Sequence, residues 1–235
     1  MIVIVPLAGP DMILDNNSLK CQWLFKGEPF IKYILDSRAW CSDVDKYIFI
    51  FHDHTVTRAF YSEYLKIWYP KCGAVFLTEY TKGAATSCLS ALSLITNDLD
   101  SIVIDFADIY FECAKGDFFD LVKDDAVNSV ALTFKSDLDI YSYLKFDSHG
   151  DFETAIEKKV ISDCASVAVY YFDNAFRYID ALSWVVNNKV DYIHNDLFYV
   201  CPVLNGVKAN GGNVQKLNVK NIWDPKLPEG NGISY

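Results

Sequence analysis

The sequence lacks an excess of basic residues: 21 Lys and Arg stand against 31 Asp and Glu, and the formal net charge is −10. Nucleic-acid binding proteins present a basic surface to the phosphates, and anionic membranes attract polybasic segments, so neither partner is expected. Acidity does not exclude small phosphorylated ligands, because a bound divalent cation and a few local lysines can override the field of the whole protein.

Paired cysteines and zinc-ligand spacings are also lacking. The seven cysteines are odd in number, scattered, and include no C-x-x-C pair. Their apolar and small neighbours are typical of reduced thiols in the core of a cytosolic protein. The four histidines lack zinc-ligand spacing, and we interpret His52-Asp53-His54 as a strand end or loop rather than a metal site. We therefore predict a cytoplasmic protein with reduced cysteines.

No apolar run approaches the roughly 20 residues that a membrane-spanning helix needs. The apolar start, residues 1–7, lacks the basic residues and the long apolar stretch of a secretory signal, and we interpret it as a first strand. The 235 residues, 51% apolar and 22% charged, suffice for a sizeable core in one α/β domain.

Buried strands alternate with helical patterns in the first half of the chain. Continuous apolar runs predict strands at 1–8, 47–51, 74–77 and 101–105. Apolar residues at helical spacing predict helices at 29–35, 55–69 and 83–94. This alternation predicts a mixed, mostly parallel twisted sheet with helices on both faces.

The second half of the chain has a mixed α+β pattern. Strands are predicted at 129–135, 166–172 and 214–219, a hairpin at 141–147 with 152–157, an amphipathic helix at 173–187, and a loop or tail at 225–235. No linker separates the halves, so we predict a single domain over 1–235, with an α/β nucleotide-binding half at about 1–128 and a second half at about 129–235.

Two carboxylates lie at and just after the end of the fourth predicted strand. Asp105 ends the run 101–105, and Asp108 comes three residues later. Ligands bind outside the carboxyl ends of strands in open α/β sheets, where a carboxylate can hold a hard cation against a phosphate. Aspartate also caps turns, and the stretch alone leaves both interpretations open.

Short motifs in a fixed order cover nearly the whole chain. They are V-I-V-P-L-A-G at 3–9, Lys20 with G-E-P-F-I at 27–31, T-K-G-A-A-T-S at 81–87, D-F-A-D at 105–108, S-Y-L-K-F at 142–146, E-K-K-V-I-S-D at 157–163, N-D-L-F-Y-V at 195–200 and W-D-P-K-L-P-E at 223–229. This ordered set resembles the sugar-phosphate nucleotidyltransferases of the nucleotide-diphospho-sugar pyrophosphorylase type.

The resemblance implies transfer of a nucleoside monophosphate from a nucleoside triphosphate to a sugar-1-phosphate or related phosphomonoester, in surface polysaccharide biosynthesis. It implies Mg²⁺ as cofactor, with a small α+β acceptor-binding portion in the second half. A homo-oligomer is compatible with it. The implied site residues are Lys20, Asp108 and Lys158 for catalysis, Ala8, Gly9, Thr81 and Gly83 for the nucleotide, and Asp108 with Asp224 for the metal.

The sequence departs from the family pattern in the phosphate-binding loop. Asp11 stands at the second glycine of its G-x-G-T-R signature, Ile13 at the arginine, and Pro10 removes an N–H donor. Lys226 and Leu227 replace the final Gly-Thr. Three functions are therefore open: an active nucleotidyltransferase, a degenerate member that binds a nucleotide or partner without turnover, and a metal-dependent glycosyltransferase on a related fold.

Overall fold

The computed structural model describes residues 1–97 and 99–227, and all structural statements concern these residues. The strands are β1 (Ile2–Leu7), β2 (Leu24–Phe25), β3 (Glu28–Pro29), β4 (Lys46–His52), β5 (Gly73–Leu77), β6 (Ile102–Asp105), β7 (Tyr110–Glu112), β8 (Ser129–Lys135), β9 (Tyr143–Phe146), β10 (Phe152–Ile156), β11 (Cys164–Phe172), β12 (Val214–Asn218) and β13 (Lys220–Trp223).

The helices are α1 (Phe30–Ser37), α2 (Thr55–Phe60), α3 (Lys66–Trp68), α4 (Ala84–Leu92), α5 (Lys115–Val122), α6 (Ala175–Asn187), α7 (Lys189–Tyr192) and α8 (Val200–Ala209). A π-helical segment, Tyr61–Leu65, joins α2 to α3. Short 3₁₀ turns lie at Lys20–Gln22 and Cys41–Asp43.

One nine-stranded sheet contains strands from both halves of the chain. β1 pairs in parallel with β4 and β6, and β4 pairs in parallel with β5. β11 runs antiparallel between β6 and β8, and β12 lies parallel to β8 beyond it. The β9–β10 hairpin pairs with the first part of β11, where Ala165 is in register with Tyr143.

Side chains of β1 alternate between two cores, because successive residues of a strand point to opposite faces. Val3 and Val5 belong to a core that includes residues of α1 and α5, and Ile2 and Ile4 belong to a core that includes residues of α4, α6 and α8. Both faces of the sheet are therefore covered, and the fold class predicted from the sequence is confirmed.

Most predicted elements are present, and the histidine trio is explained. His52 ends β4 and stacks on Tyr80, and the His54 side chain caps α2 by accepting a hydrogen bond from the Val56 amide. The prediction missed β2, β3, β7, β13, α5, α7 and α8. The predicted tail begins as a turn at 225–227, and residues 228–235 lie outside the described residues, as do Pro228 and Glu229 of the last motif.

All seven cysteines are free, and four of them are buried. Across residues 1–97 and 99–227, none of the helices combines the length and apolar character needed to cross a membrane.

Candidate active site

A cavity of about 670 Å³ opens at the carboxyl ends of β1 and β6. Its walls come from the loops after these strands, the start of α4, the β9–β10 hairpin and the turn after β13. Among its lining residues are seven of the eight site residues predicted from the sequence: Ala8, Gly9, Lys20, Thr81, Gly83, Asp108 and Lys158. The eighth, Asp224, is buried beside the lining residues Pro225 and Lys226.

The short antiparallel ribbon of β7 and β13 explains why Asp108 and Asp224 lie at the same end of two paired strands. Tyr110 of β7 is in register with Trp223 of β13. Asp108 lies two residues before Tyr110, and Asp224 directly follows Trp223. The ribbon therefore carries both carboxylates to one end of the paired strands.

Lys226 connects the two carboxylates. Its Nζ lies 2.6 Å from Asp108 Oδ2, and its backbone amide donates to Asp224 Oδ1 at 2.8 Å. Tyr141 donates its hydroxyl to the other oxygen of Asp224, also at 2.8 Å. Burial disfavours the charged form of Lys226, but the carboxylate of Asp108 and its neighbours outweigh that effect and raise the pKa of Lys226.

The donor set of this cluster fits a small hard cation. Asp108 Oδ1 is buried and has no hydrogen-bond partner among the described residues. The same residues contain no group of three or more His, Cys, Asp or Glu side chains placed to hold a metal. Mg²⁺ commonly uses one or two carboxylates and completes its shell with substrate phosphates and water, so two carboxylates suffice.

Asp105 has a different role from Asp108. Arg38 donates from Nε and Nη2 to its two oxygens at 2.7 and 3.0 Å, and the Ala107 amide donates to Oδ1 at 2.8 Å. Both side chains of the ion pair are buried, and the Arg38 guanidinium lies over the ring of Phe111. Asp105 therefore anchors the turn after β6 to the core.

The loop after β1 is closed by an ion pair. Lys20 Nζ lies 2.7 Å from Asp11 Oδ2, and the Lys20 amide donates to the carbonyl of Met12. Burial works to raise the pKa of Asp11, but the Lys20 ammonium prevails and lowers it. The carboxylate at the family's glycine position is thus paired with the lysine that the resemblance assigns to catalysis.

Gly83 is fixed by the close approach of another backbone segment. Its φ of +108° favours glycine, and a Cβ there would lie 2.4 Å from the carbonyl oxygen of Phe198. It precedes the first turn of α4, so the positive end of that helix faces the cavity, where an anionic ligand would be favoured. The helix predicted over 83–94 is present as α4 with Gly83 at its N-cap, and Gly83 also lines the cavity.

The hairpin side of the cavity holds Lys158 and Glu157. Lys158 Nζ lies 5.9 Å from the centre of the Tyr199 ring. The buried Glu157 carboxylate accepts a short hydrogen bond from the Ser142 hydroxyl. Lys158 has a φ of +49°, and Ala107 and Ala168, which also line the cavity, have φ values of +51° and +58°. Strained conformations of this kind cluster at functional sites.

Glu157 gives a testable pH dependence. Burial raises its pKa above the ordinary value, with the Ser142 hydroxyl and nearby lysines acting in opposition. The folded state therefore binds the proton more tightly than the unfolded chain, and this contribution to stability is lost as pH rises through the folded-state pKa. Relative to Glu157→Gln, the wild type should lose free energy of unfolding as pH rises above about 4, the ordinary pKa of glutamate, in urea titrations. A difference that stays constant with pH would contradict the burial of a titrating carboxylate.

No protein-family model and no curated protein sequence matches the chain. Solved structures do. A nucleoside-diphosphate-sugar pyrophosphorylase from Vibrio cholerae RC9 superimposes with a TM-score of 0.81 at 20% identity, covering 97% of this chain and 96% of that one. The chain has the nucleotide-diphospho-sugar transferase fold. 

Two further structures with this fold have related activities in their names. The inositol-1-phosphate CTP transferase from T. maritima has a TM-score of 0.67 at 13% identity, covering 94% of this chain and 86% of that one. A UDP-glucose pyrophosphorylase complexed with UDP-glucose has a TM-score of 0.66 at 14% identity, covering 93% and 91%.

In this nucleotide-diphospho-sugar transferase fold, Asp108, Tyr141, Asp224 and Lys226 form a polar group that we call the cation cluster. Two of its residues, Tyr141 and Lys226, were not predicted as site residues from the sequence. Tyr141 was predicted only as part of a hairpin strand, and Lys226 only as a departure from the family's final Gly-Thr. A lysine two residues after Asp224 was a visible signal, because a turn there returns its side chain toward the preceding carboxylates.

Proposed function

We propose that this protein is a nucleotidyltransferase that transfers a nucleoside monophosphate from a nucleoside triphosphate to a sugar-1-phosphate or related phosphomonoester. The observation that carries the proposal is that residues from separate motifs come together in one cavity. Seven residues chosen from motifs in a fixed order, spread from Ala8 to Lys158, line a single cavity at the carboxyl ends of β1 and β6. Ligands of open α/β sheets bind at this end of the strands.

In the proposed reaction, a phosphate oxygen of the acceptor attacks the α-phosphorus of the triphosphate. The new P–O bond forms as the bond to the β-phosphate breaks, and pyrophosphate leaves with the electron pair. Such a reaction depends on positioning and on neutralising phosphate charge rather than on a covalent protein intermediate. The cavity offers Lys20 beside the first loop and Lys158 on the hairpin for these purposes.

Mg²⁺ is the proposed cofactor and would neutralise charge on the triphosphate when held by Asp108 and Asp224. Asp108 contributes an oxygen that has no hydrogen-bond partner within the described residues. Asp224 is positioned by the Tyr141 hydroxyl and the Lys226 amide, and each carboxylate oxygen retains a lone pair for a further ligand.

The other site residues divide by position in the cavity. Ala8 and Gly9 follow β1, and Thr81 and Gly83 precede α4, so we propose that this side receives the nucleotide. Thr81 donates its hydroxyl to the Gly83 carbonyl at 3.0 Å, which keeps that loop in place. Lys158 would contact the acceptor phosphate. We further propose that the reaction takes place in the cytoplasm and supplies an activated head group for surface polysaccharide.

The test is a pyrophosphate-release screen with Mg²⁺, covering the common nucleoside triphosphates against a panel of sugar phosphates and other phosphomonoesters. We expect at least one pair to release pyrophosphate, with release requiring both substrates and stopping when EDTA removes the metal.

The screen also separates the alternatives. A triphosphate that binds without any pyrophosphate release would favour a non-catalytic member, for which the Asp11–Lys20 pair in the phosphate loop is a physical reason. In a parallel assay with sugar nucleotides in place of the triphosphates, release of a nucleoside diphosphate without pyrophosphate formation would instead identify a glycosyltransferase.

A further inference from the structure

A lysine ammonium occupies the carboxylate that the proposed function assigns to the metal. Lys226 Nζ is 2.6 Å from Asp108 Oδ2, and the Asp108 side chain is 33% exposed toward the cavity. Mg²⁺ binds carboxylate oxygen at about 2.0–2.1 Å. A metal on Oδ2 would therefore overlap with the ammonium, and a metal on the unpartnered Oδ1 would still be repelled by the ammonium on the other oxygen of the same carboxylate.

The backbone around Lys226 holds this ammonium within reach of Asp108. The Lys226 amide donates to Asp224 Oδ1, and the Leu227 amide donates to the Asp224 carbonyl at 3.1 Å. The turn after β13 is thus fixed by Asp224 itself. Only the flexible side chain of Lys226 can leave the carboxylate, and it remains tethered beside the cavity when it does.

The Lys226 ammonium satisfies only part of the negative charge and hydrogen-bonding capacity of Asp108 and Asp224. It carries one positive charge against the two negative charges of Asp108 and Asp224, and Asp108 Oδ1 is left without a hydrogen-bond partner in the described part of the chain. A divalent cation would balance the two carboxylates fully. The cluster is therefore closed by a weaker, built-in cation that a stronger one can displace.

We propose that Lys226 is a tethered competitor of the divalent cation: it occupies Asp108 in the nucleotide-free protein and is displaced when metal binds. This inference rests on the proposed function in one respect, the assignment of Asp108 as the metal carboxylate. Free metal binds weakly for this reason. Metal that arrives with a triphosphate binds better, because the phosphates attract the displaced ammonium.

The test measures Mn²⁺, a spectroscopic substitute for Mg²⁺, from the electron paramagnetic resonance signal of the free ion in nucleotide-free protein. Lys226→Met keeps the length of the side chain and removes the charge. We expect it to tighten Mn²⁺ binding about tenfold relative to the wild type, equivalent to about 1.4 kcal/mol. Lys226 lies on a partly exposed turn, and circular dichroism will verify that the variant is folded.

Two further variants make the result specific. Lys135→Met removes the lysine of another Lys–Asp pair. Lys135 is the exposed last residue of β8, and its Nζ lies 3.5 Å from Asp163. This variant should leave Mn²⁺ affinity unchanged. The double variant Lys226→Met/Asp108→Asn should not show the tighter Mn²⁺ binding of Lys226→Met, because the carboxylate that the lysine leaves free is no longer present.

The possible failures point to different conclusions. If the wild type and Lys226→Met bind Mn²⁺ equally and Asp108→Asn weakens both, Asp108 is a metal carboxylate and Lys226 does not compete, so the inference is wrong and the proposed cofactor site stands. If none of the variants binds Mn²⁺, with or without a triphosphate, the proposed metal site is wrong and the inference is overturned with it.

Discussion

Asp108→Asn should reduce Mg²⁺-dependent kcat/KM by at least about 100-fold while leaving the protein folded. Removing one charge-stabilising group at a reacting centre commonly costs 10²–10³-fold, and Asp108 is proposed to hold the cation. Asparagine has nearly the same shape, and the hydrogen-bond partner of Asp108 is the partly exposed Lys226, so the thermal midpoint should change little. Steady-state pyrophosphate release with the substrate pair found in the screen provides the measurement.

Asp43→Asn is the matched control for this variant. Asp43 also pairs with a lysine at 2.6 Å, Lys115, but it lies on the exposed surface and outside the cavity lining. Its loss should leave turnover within about twofold, because exposed pairs contribute little. If Asp108→Asn retained turnover close to that of the control, the metal assignment would have to be abandoned.

Asp105→Asn should lower the free energy of unfolding by about 3–5 kcal/mol, the usual result of breaking a buried ion pair by removing one partner. The Arg38 guanidinium would stay buried without a counter-charge, and the amide nitrogen of asparagine would face a donor. For a chain of this size, the loss corresponds to a fall in thermal midpoint of about 6–20 °C. Urea titration measures the free energy of unfolding, and calorimetry measures the thermal midpoint. The substitution should affect Mn²⁺ affinity much less than it affects stability.

Asp173→Asn serves as the control for the stability measurement. Asp173 also accepts two hydrogen bonds from one arginine, Arg177, each at 3.1 Å, but both side chains reach solvent. It should cost less than about 1 kcal/mol. Equal losses at Asp105 and Asp173 would show that burial of the Arg38–Asp105 pair has no special energetic weight.

The parallel part of the sheet could be predicted from the sequence because β1, β4 and β6 are continuous apolar runs. One helix that was not predicted, α8, has a local sequence that does not favour a helix. α8 contains Pro202, Asn205 and Gly206, which are unfavourable in a helix interior. Pro202 falls in its first turn, where no amide donor is needed, and Asn205 bonds the backbone of Ala155 on β10.

Gly206 completes the explanation for α8. A Cβ at this position would lie 2.0 Å from the carbonyl oxygen of Ala181, so glycine lets α8 pack directly against α6. Local propensity is overridden here by contacts with distant parts of the chain, which a single sequence does not display.

The positions of the candidate site residues followed from ordered motifs, but their pairing did not. Asp108 and Lys226 are both visible in the sequence as charged residues in the family's motifs. That the lysine side chain turns back onto the aspartate depends on the register of β7 with β13 and on the turn that Asp224 stabilises. The same holds for Asp105, whose arginine partner lies in another segment, after α1.

The cation cluster is assembled from two segments that are distant in the sequence, and the ribbon of β7 and β13 brings them together. A hybrid protein that took residues 1–128 from this chain and the remainder from a relative with glycine at position 226 would combine Asp108 with a partner segment that carries no ammonium. Such a hybrid is expected to bind a divalent cation more tightly than this chain, for the same reason as Lys226→Met. Recombination points between these segments separate residues that act together, whereas points outside them keep the cluster whole.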